Sequence, residues 1–213
     1  FAGAFGLNQS NNQTKIVGEL DIDFENILGY AEQIKILWKK NKELSQYINF
    51  STFIPHLFGT EIGFFWNYDF ENFNSLYTKS EEKIMFHTFL PIFNNTKLGY
   101  NKGKIISTEL GKSSGYVDGN FLALSMNSEL DTRNDRLMPL SGQLFNVMID
   151  GGVDQKSRFL KTTLKYQVFF HIYKNTYAKF QTSLNGINYI NEIVPKSRYI
   201  YLGGTSNLRG FNE

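Results

Sequence analysis

Residues 159–172 read FLKTTLKYQVFFHI. Leu160, Thr162, Leu164, Tyr166, Val168, Phe170 and Ile172 fall on one phase of a two-residue repeat, opposed by Lys161, Thr163, Lys165, Gln167 and His171. Successive side chains of an extended chain point to opposite faces, whereas an amphipathic helix needs apolar residues three and four apart. The stretch therefore predicts a long β-strand with one apolar and one polar face. The same period returns on either side of it. In 15–25, Ile16, Gly18, Leu20, Ile22 and Phe24 share a phase and the other phase is mostly charged; in 61–71, Ile62, Phe64, Trp66, Tyr68 and Phe70 oppose Glu61, Gly63, Asn67, Asp69 and Glu71.

Alternation and turn residues together predict about eleven strands, at 1–8, 14–25, 30–39, 44–54, 60–71, 81–90, 97–108, 119–131, 143–152, 158–172 and 176–188. Connectors at 26–29, 55–59, 91–96 and 173–175 are expected to be short. Those at 9–13, 72–80, 109–118 and 189–213 are expected to be longer, with 132–142 and 40–43 as the exceptions on each rim. Short turns on one rim and longer loops on the other are the habit of outer-membrane barrels. Several strands reach the roughly 9 to 11 residues that cross a bilayer at a tilt, and Trp38, Trp66 and Tyr100 lie near strand ends as interfacial aromatics would. A soluble β-sandwich shares the alternation, with its apolar face turned to a core instead of to lipid.

Composition narrows the function classes. The 213 residues predict one domain, and 22 Lys+Arg against 20 Asp+Glu leave a net charge of +2. That is too small a field to point to a nucleic-acid partner. The absence of Cys removes disulfide frameworks and thiolate chemistry. His56, His87 and His171 are far apart, and no Ser sits in a nucleophile elbow. The pairs Glu81-Glu82 and Gly151-Gly152 read as loop residues, not as acid/base or phosphate-binding devices. A non-enzymatic protein without metal or other cofactor is expected. No apolar run approaches the roughly 20 residues of a membrane-spanning helix, yet 16% of the chain is aromatic and 41% hydrophobic.

Two local motifs remain. Residues 201–211 read YLGGTSNLRGF, with Gly203 and Gly204 ahead of Leu208, Arg209, Gly210 and Phe211. Glycines permit close backbone approach, and an Arg is a permanent planar cation suited to a carboxylate partner. Residues 130–142 read LDTRNDRLMPLSG, where Asp131 can bond turn amides and pair with Arg133 or Arg136, Asp135 lies within the turn, and Pro139 and Gly142 set the start of the next strand.

The first motif resembles the signature of the sixth extracellular loop in the Omp85 superfamily, a Gly-Gly pair followed by (V/L/I)RG(F/Y). The second resembles that superfamily's D-x-R-x-(D/N)…P-x-x-G turn between the eighth and ninth strands. The strand count places both in the family order, after strands eight and eleven. The resemblance spans the whole chain and implies an all-β, transmembrane, antiparallel up-and-down barrel of about 16 strands when complete. Residues 1–213 would be its N-terminal and central part, ending in the signature loop, with the periplasmic POTRA domains and the last strands outside the sequence. The wording GGTSNLRGFNE is closer to TamA-like members than to BamA-like ones.

The resemblance further implies a protein that inserts or translocates polypeptides at the outer membrane of a Gram-negative bacterium. Its partners would be outer-membrane lipid, client polypeptides, and accessory lipoproteins or periplasm-spanning proteins. Arg209 would reach into the lumen, with Glu19, Asp21, Asp23, Asp69 and Glu129 as candidate lumen carboxylates. The first strand, with Phe1, Gly3, Phe5 and Gly6, would form a weak lateral seam at which a client strand adds by β-augmentation. Rival readings are a two-partner secretion transporter of the same superfamily and a passive porin or adhesin barrel.

Overall fold

Period-two sequence produces strands wherever the backbone can pair, and in the computed structural model eleven of them form one sheet. The structure describes residues 2–199 apart from 11–12, 43, 89–94, 136–137, 156, 175 and 191. The strands are β1 Ala2–Ser10, β2 Gln13–Glu25, β3 Gln33–Lys42, β4 Ser45–Ile54, β5 Gly63–Phe73, β6 Tyr77–Thr88, β7 Asn95–Ser107, β8 Gly119–Asp131, β9 Gly142–Asp154, β10 Ser157–Tyr173 and β11 Thr176–Tyr189. Each pairs antiparallel with its neighbours in sequence, in the order β1 to β11. All eleven correspond one to one to the strands predicted from alternation. No described helix is long and apolar enough to cross a membrane.

Register carries the alternation from strand to strand. On one face Leu20 meets Trp38, Trp38 meets Ile48, Thr52 meets Trp66, Val147 meets Leu164, and Leu164 meets Leu184. On the other, Glu19 meets Lys39, Asn49 meets Asp69, and Lys161 meets Asp150. The polar face is the concave one, because Lys83 on β6 bonds Asp150 on β9 at 3.3 Å. Three inter-strand steps are about 14 Å along a flat sheet, so these side chains meet only if the sheet curls toward them. The convex face is largely apolar, with Leu124 78% and Leu184 65% exposed on it, and is interrupted on β6 and β7 by the Glu82–Lys102 pair at 2.6 Å. The expected sorting of Leu20, Ile22, Phe64, Trp66, Leu164 and Val168 from Glu19, Asp21, Asn67, Asp69, Lys165 and Gln167 is the observed one.

The connectors depart from expectation. On the rim expected to carry the longer loops, two residues separate β1 from β2, β3 from β4 and β9 from β10, and three separate β5 from β6, whereas 108–118 makes a longer connection between β7 and β8. The opposite rim carries the larger connectors 26–32, 55–62 and 132–141, while two residues separate β10 from β11. The error at 72–80 has a local cause. Asn74 and Ser75 take positive φ of 47° and 55° and close a hairpin, while Phe73 and Tyr77 stack at 5.4 Å. Both faces of β6 are polar just beyond the turn, at Thr78, Lys79, Ser80 and Glu81, so the apolar phase that marks a strand is missing there. Glu81 and Glu82 are consequently strand residues of β6, and Gly151 and Gly152 of β9; the loop assignment for both pairs is corrected.

Pro55 and Pro139 share one rim, as the meander requires, and 74–76 and 108–118 share the other; Pro91 lies outside the described residues. Two aromatic clusters close the concave side on the second rim. One joins Phe121, Ala123, Phe159 and Tyr189, with Val194 against them; the other joins Tyr77, Ile105 and Tyr116. In 108–118, Thr108 caps a single helical turn α1, Glu109–Ser113, by accepting from the Gly111 amide at 3.0 Å.

Candidate functional site

The concave wall gathers charge because the inward phases of most strands carry some, while β4 contributes the polar groups of Tyr47, Asn49 and Ser51. Glu19 pairs with Lys39 at 2.7 Å and Asp23 with Lys35 at 3.0 Å, with Asp21 between them on the same face of β2. Asp69 accepts from Tyr47 and from the side-chain amides of Asn49 and Asn67. Glu129 accepts from Asn95 at 3.3 Å and Asn146 at 3.5 Å. The five acids expected on the lumen side all lie on the inward face, and Glu19, Asp23, Asp69 and Glu129 each meet different partners instead of converging on one point.

Three acids that sequence reasoning passed over form the more buried part of the wall. Asp150 is 1% exposed. It holds Lys83 at 3.3 Å and accepts from the Ser125 hydroxyl at 2.5 Å. Glu81 pairs with Lys79 at 3.1 Å and accepts from Asn101 at 2.6 Å. Asp154 accepts from Tyr189 Oη at 2.5 Å and from Arg198 Nε at 3.3 Å. A charge buried without a partner costs several kcal/mol, so acids at these depths are held by matched donors. The signal for Asp150 and Asp154 was present in the alternation against Ile149 and Val153. Glu81 stands at the very start of the strand expected at 81–90 and reads as a loop residue, whereas β6 begins at Tyr77.

The chain after β11 turns back over this wall. The Ile190 amide donates to Arg158 O at 2.9 Å, and the Arg198 guanidinium lies 3.6 Å from the centre of the Phe121 ring and 5.3 Å from that of Phe159. Lys196 donates to Ser114 O at 2.9 Å and sits over the Tyr116 ring. The signature residues Gly203, Gly204, Leu208, Arg209, Gly210 and Phe211 lie beyond Tyr199, outside the described residues, as does Phe1. Gly3 and Gly6 are exposed on β1, and Phe5 is part of the same strand.

In the turn after β8, Asp131 holds Arg133 through Nε and Nη2, both at 2.8 Å, and also accepts the Arg133 amide at 3.1 Å. That two-point contact raises the hold of Arg133 on its proton above the ordinary value. Asn134 accepts from the amides of Leu140 and Ser141 at 2.9 Å, and Asp135 from that of Met138 at 2.8 Å. Pro139 precedes Gly142, whose φ of +95° starts β9. A Cβ at residue 142 would stand 2.2 Å from Thr132 O, so glycine is required on two counts. Arg136 is outside the described residues.

Among the described residues no group of three or more His, Cys, Asp or Glu is arranged to hold a metal ion. Eleven antiparallel strands in sequence order, a charged concave wall, a built turn after β8 and a chain that folds inward after β11 are now in place. A family model of the Omp85 superfamily domain matches residues 26–213. This chain belongs to the Omp85 superfamily. A comparison with curated proteins finds no match. Omp85 domains are generally proteins of outer membranes, of Gram-negative bacteria or of organelles, and the superfamily serves protein insertion and translocation there. The eleven strands are thus part of an Omp85 barrel.

Proposed function

We propose that this protein assembles or translocates client polypeptides at the outer membrane of a Gram-negative bacterium, acting by strand exchange at a lateral seam and without bond chemistry. The observation that carries the reading is the Omp85 superfamily domain over 26–213. The edge strand β1 supports the seam. Gly3 and Gly6 are exposed on it and offer little side chain to shield its backbone, so where the seam opens its amides and carbonyls can template an incoming strand. Outer-membrane lipid surrounds the convex face, client polypeptides engage the seam, and accessory lipoproteins or periplasm-spanning proteins deliver them. The protein works without a cofactor or a nucleic-acid partner, within the TamA-like branch of the superfamily.

Photo-crosslinkers placed in the full-length protein at positions 3 and 6, and at Phe86 on the convex face of β6 as a control, test this in living cells. Adducts with nascent outer-membrane proteins at 3 and 6 but not at 86 are expected. Crosslinking to one exported substrate along the lumen instead identifies a two-partner secretion transporter. No polypeptide adduct, with permeability to small solutes alone, identifies a passive pore.

A further inference from the structure

The inward path of the chain after β11 depends on one residue outside the signature motif. Arg198 is 8% exposed, its Nε bonds Asp154, and its guanidinium plane lies against Phe121. Each partner is fixed from behind. Asp154 also takes the Tyr189 hydroxyl, and the Tyr189 ring stacks on Phe159 at 5.7 Å and 23°. Phe121 meets Phe159 edge-on at 5.9 Å and 84°. The Phe121 ring also rests over Gly103, its partner across β7 and β8. A Cβ there would stand 2.2 Å from the ring, so only glycine leaves room for it.

We propose that Arg198 is a positioning residue for the loop, an outer clasp that seats the limb leading to the signature against the wall between β8 and β10. Arginine suits the task because its planar cation can stack on an aromatic face and donate to a carboxylate at the same time. Lysine offers a point charge that cannot do both. The clasp also ties two connectors together, because Lys196, two residues away, donates to Ser114 O and covers Tyr116 in 108–118. The clasp is suited to release. Among the described residues Arg198 meets its carboxylate through one 3.3 Å ion-pair contact, and its Nη2 is buried without a hydrogen-bond partner. A charge half satisfied in a low-dielectric wall is held less firmly than a two-point pair such as Asp131–Arg133.

The clasp rests on the reading of 190–213 as the inward-folding loop of an insertion or translocation barrel, yet it can fail independently of that reading. The test is amide hydrogen exchange on the full-length protein in lipid nanodiscs, wild type against Arg198→Ala, Asp154→Asn, Arg198→Lys and Gly103→Ala. Folding is checked by heat-modifiable mobility. We expect the amides of Ile190 and Arg198 to exchange at least tenfold faster in Arg198→Ala and Asp154→Asn, and less so in Arg198→Lys. Rates in β6 and β9 should stay within twofold of wild type. Gly103→Ala, which touches neither member of the ion pair, should loosen the same limb by displacing Phe121. A folded Arg198→Ala variant with wild-type exchange over 190–198 overturns the proposal. Equal acceleration throughout the sheet overturns it too, since that marks a residue serving the barrel and not the loop. Should Arg198→Ala fail to fold, Asp154→Asn and Gly103→Ala decide by the same criteria. Client crosslinking at positions 3 and 6, measured in parallel, reports on the function reading alone.

Discussion

Lys83 on β6 reaches over β7 and β8 to Asp150 on β9, and the two side chains are 12% and 2% exposed. The pair ties strands that share no backbone hydrogen bonds, so it holds curvature and not register. Removing one partner leaves the other charge in a water-poor wall, a loss of about 3–5 kcal/mol. Lys83→Met and Asp150→Leu should each lower the unfolding midpoint strongly in urea titrations from phospholipid bilayers. The double variant should recover a large part of the loss, because no lone charge remains. Additive losses would show that the two groups act separately.

The two faces of β11 make a second test from adjacent residues. Leu184 lies on the convex face opposite Leu164, and Ser183 on the concave face opposite Lys165. An arginine facing the hydrocarbon costs about 2–4 kcal/mol near the midplane, while a lumen position tolerates it. Leu184→Arg is therefore expected to lose that amount in refolding equilibria and Ser183→Arg to lose less than about 1 kcal/mol. A reversed order would put the lipid face on the wrong side of the sheet.

The sorting of these faces was legible in the sequence because a strand's period is two and each run is long enough to fix its phase. Leu20, Phe64 and Leu164 needed nothing beyond that pattern. The connectors were not legible to the same degree. Polar residues such as Thr78 and Ser80 read as loop, although strand pairing with Ile106 and Lys104 keeps them in the ladder. The acids Asp150 and Glu81 and the cation Arg198 were missed because their partners, Lys83, Asn101 and Asp154, lie 20 to 67 residues away. Periodicity reports which face a side chain takes, not which strand two or three places along will curl to meet it.

The connector 26–32 supplies a dependence on pH. Glu32 accepts the Leu28 amide at 2.6 Å and the Tyr30 amide at 3.0 Å, and these donors hold its carboxyl below the ordinary glutamate value. A depressed folded-state value stabilises the turn above the ordinary range and loses that stabilisation as pH falls through the folded value. Proteolytic nicking within 26–32 should be slow at neutral pH and rise on acidification below the ordinary glutamate range. Glu32→Gln should be nicked faster at neutral pH and show no such rise.

Gly142 offers a backbone test of the turn after β8. With φ at +95° and Thr132 O standing 2.2 Å from a new Cβ, Gly142→Ala carries both conformational strain and a steric clash. The strain alone is about 1–3 kcal/mol. The variant should fold in lower yield, with faster hydrogen exchange at the Thr132 and Gln143 amides, which close the turn. Pro139→Ala, which leaves φ unconstrained but adds no clash, should have a much smaller effect.

Arg209, which the family resemblance aims into the lumen, lies outside the described residues. The described wall already shows how cations are received: Lys83, Lys79 and Arg198 each meet a carboxylate on the concave face. A charge-assisted contact shielded from water is shorter and stronger than an exposed pair, and truncating one side strands the other charge. Arg209→Ala should therefore impair client assembly far more than Lys112→Ala, whose ammonium meets the exposed Glu109 one turn away at 3.2 Å. Lys196 is unsuitable as the control, because it bonds Ser114 O and would weaken the outer clasp as well. Assembly rates in the full-length protein, measured together with crosslinking from position 209 to lumen residues, separate the outcomes. Lumen crosslinks with a large loss of rate in Arg209→Ala place the signature cation inside the barrel. A wild-type rate, with position 209 labelled freely from outside, removes the lumen role from Arg209 and leaves Arg198 to hold the loop alone.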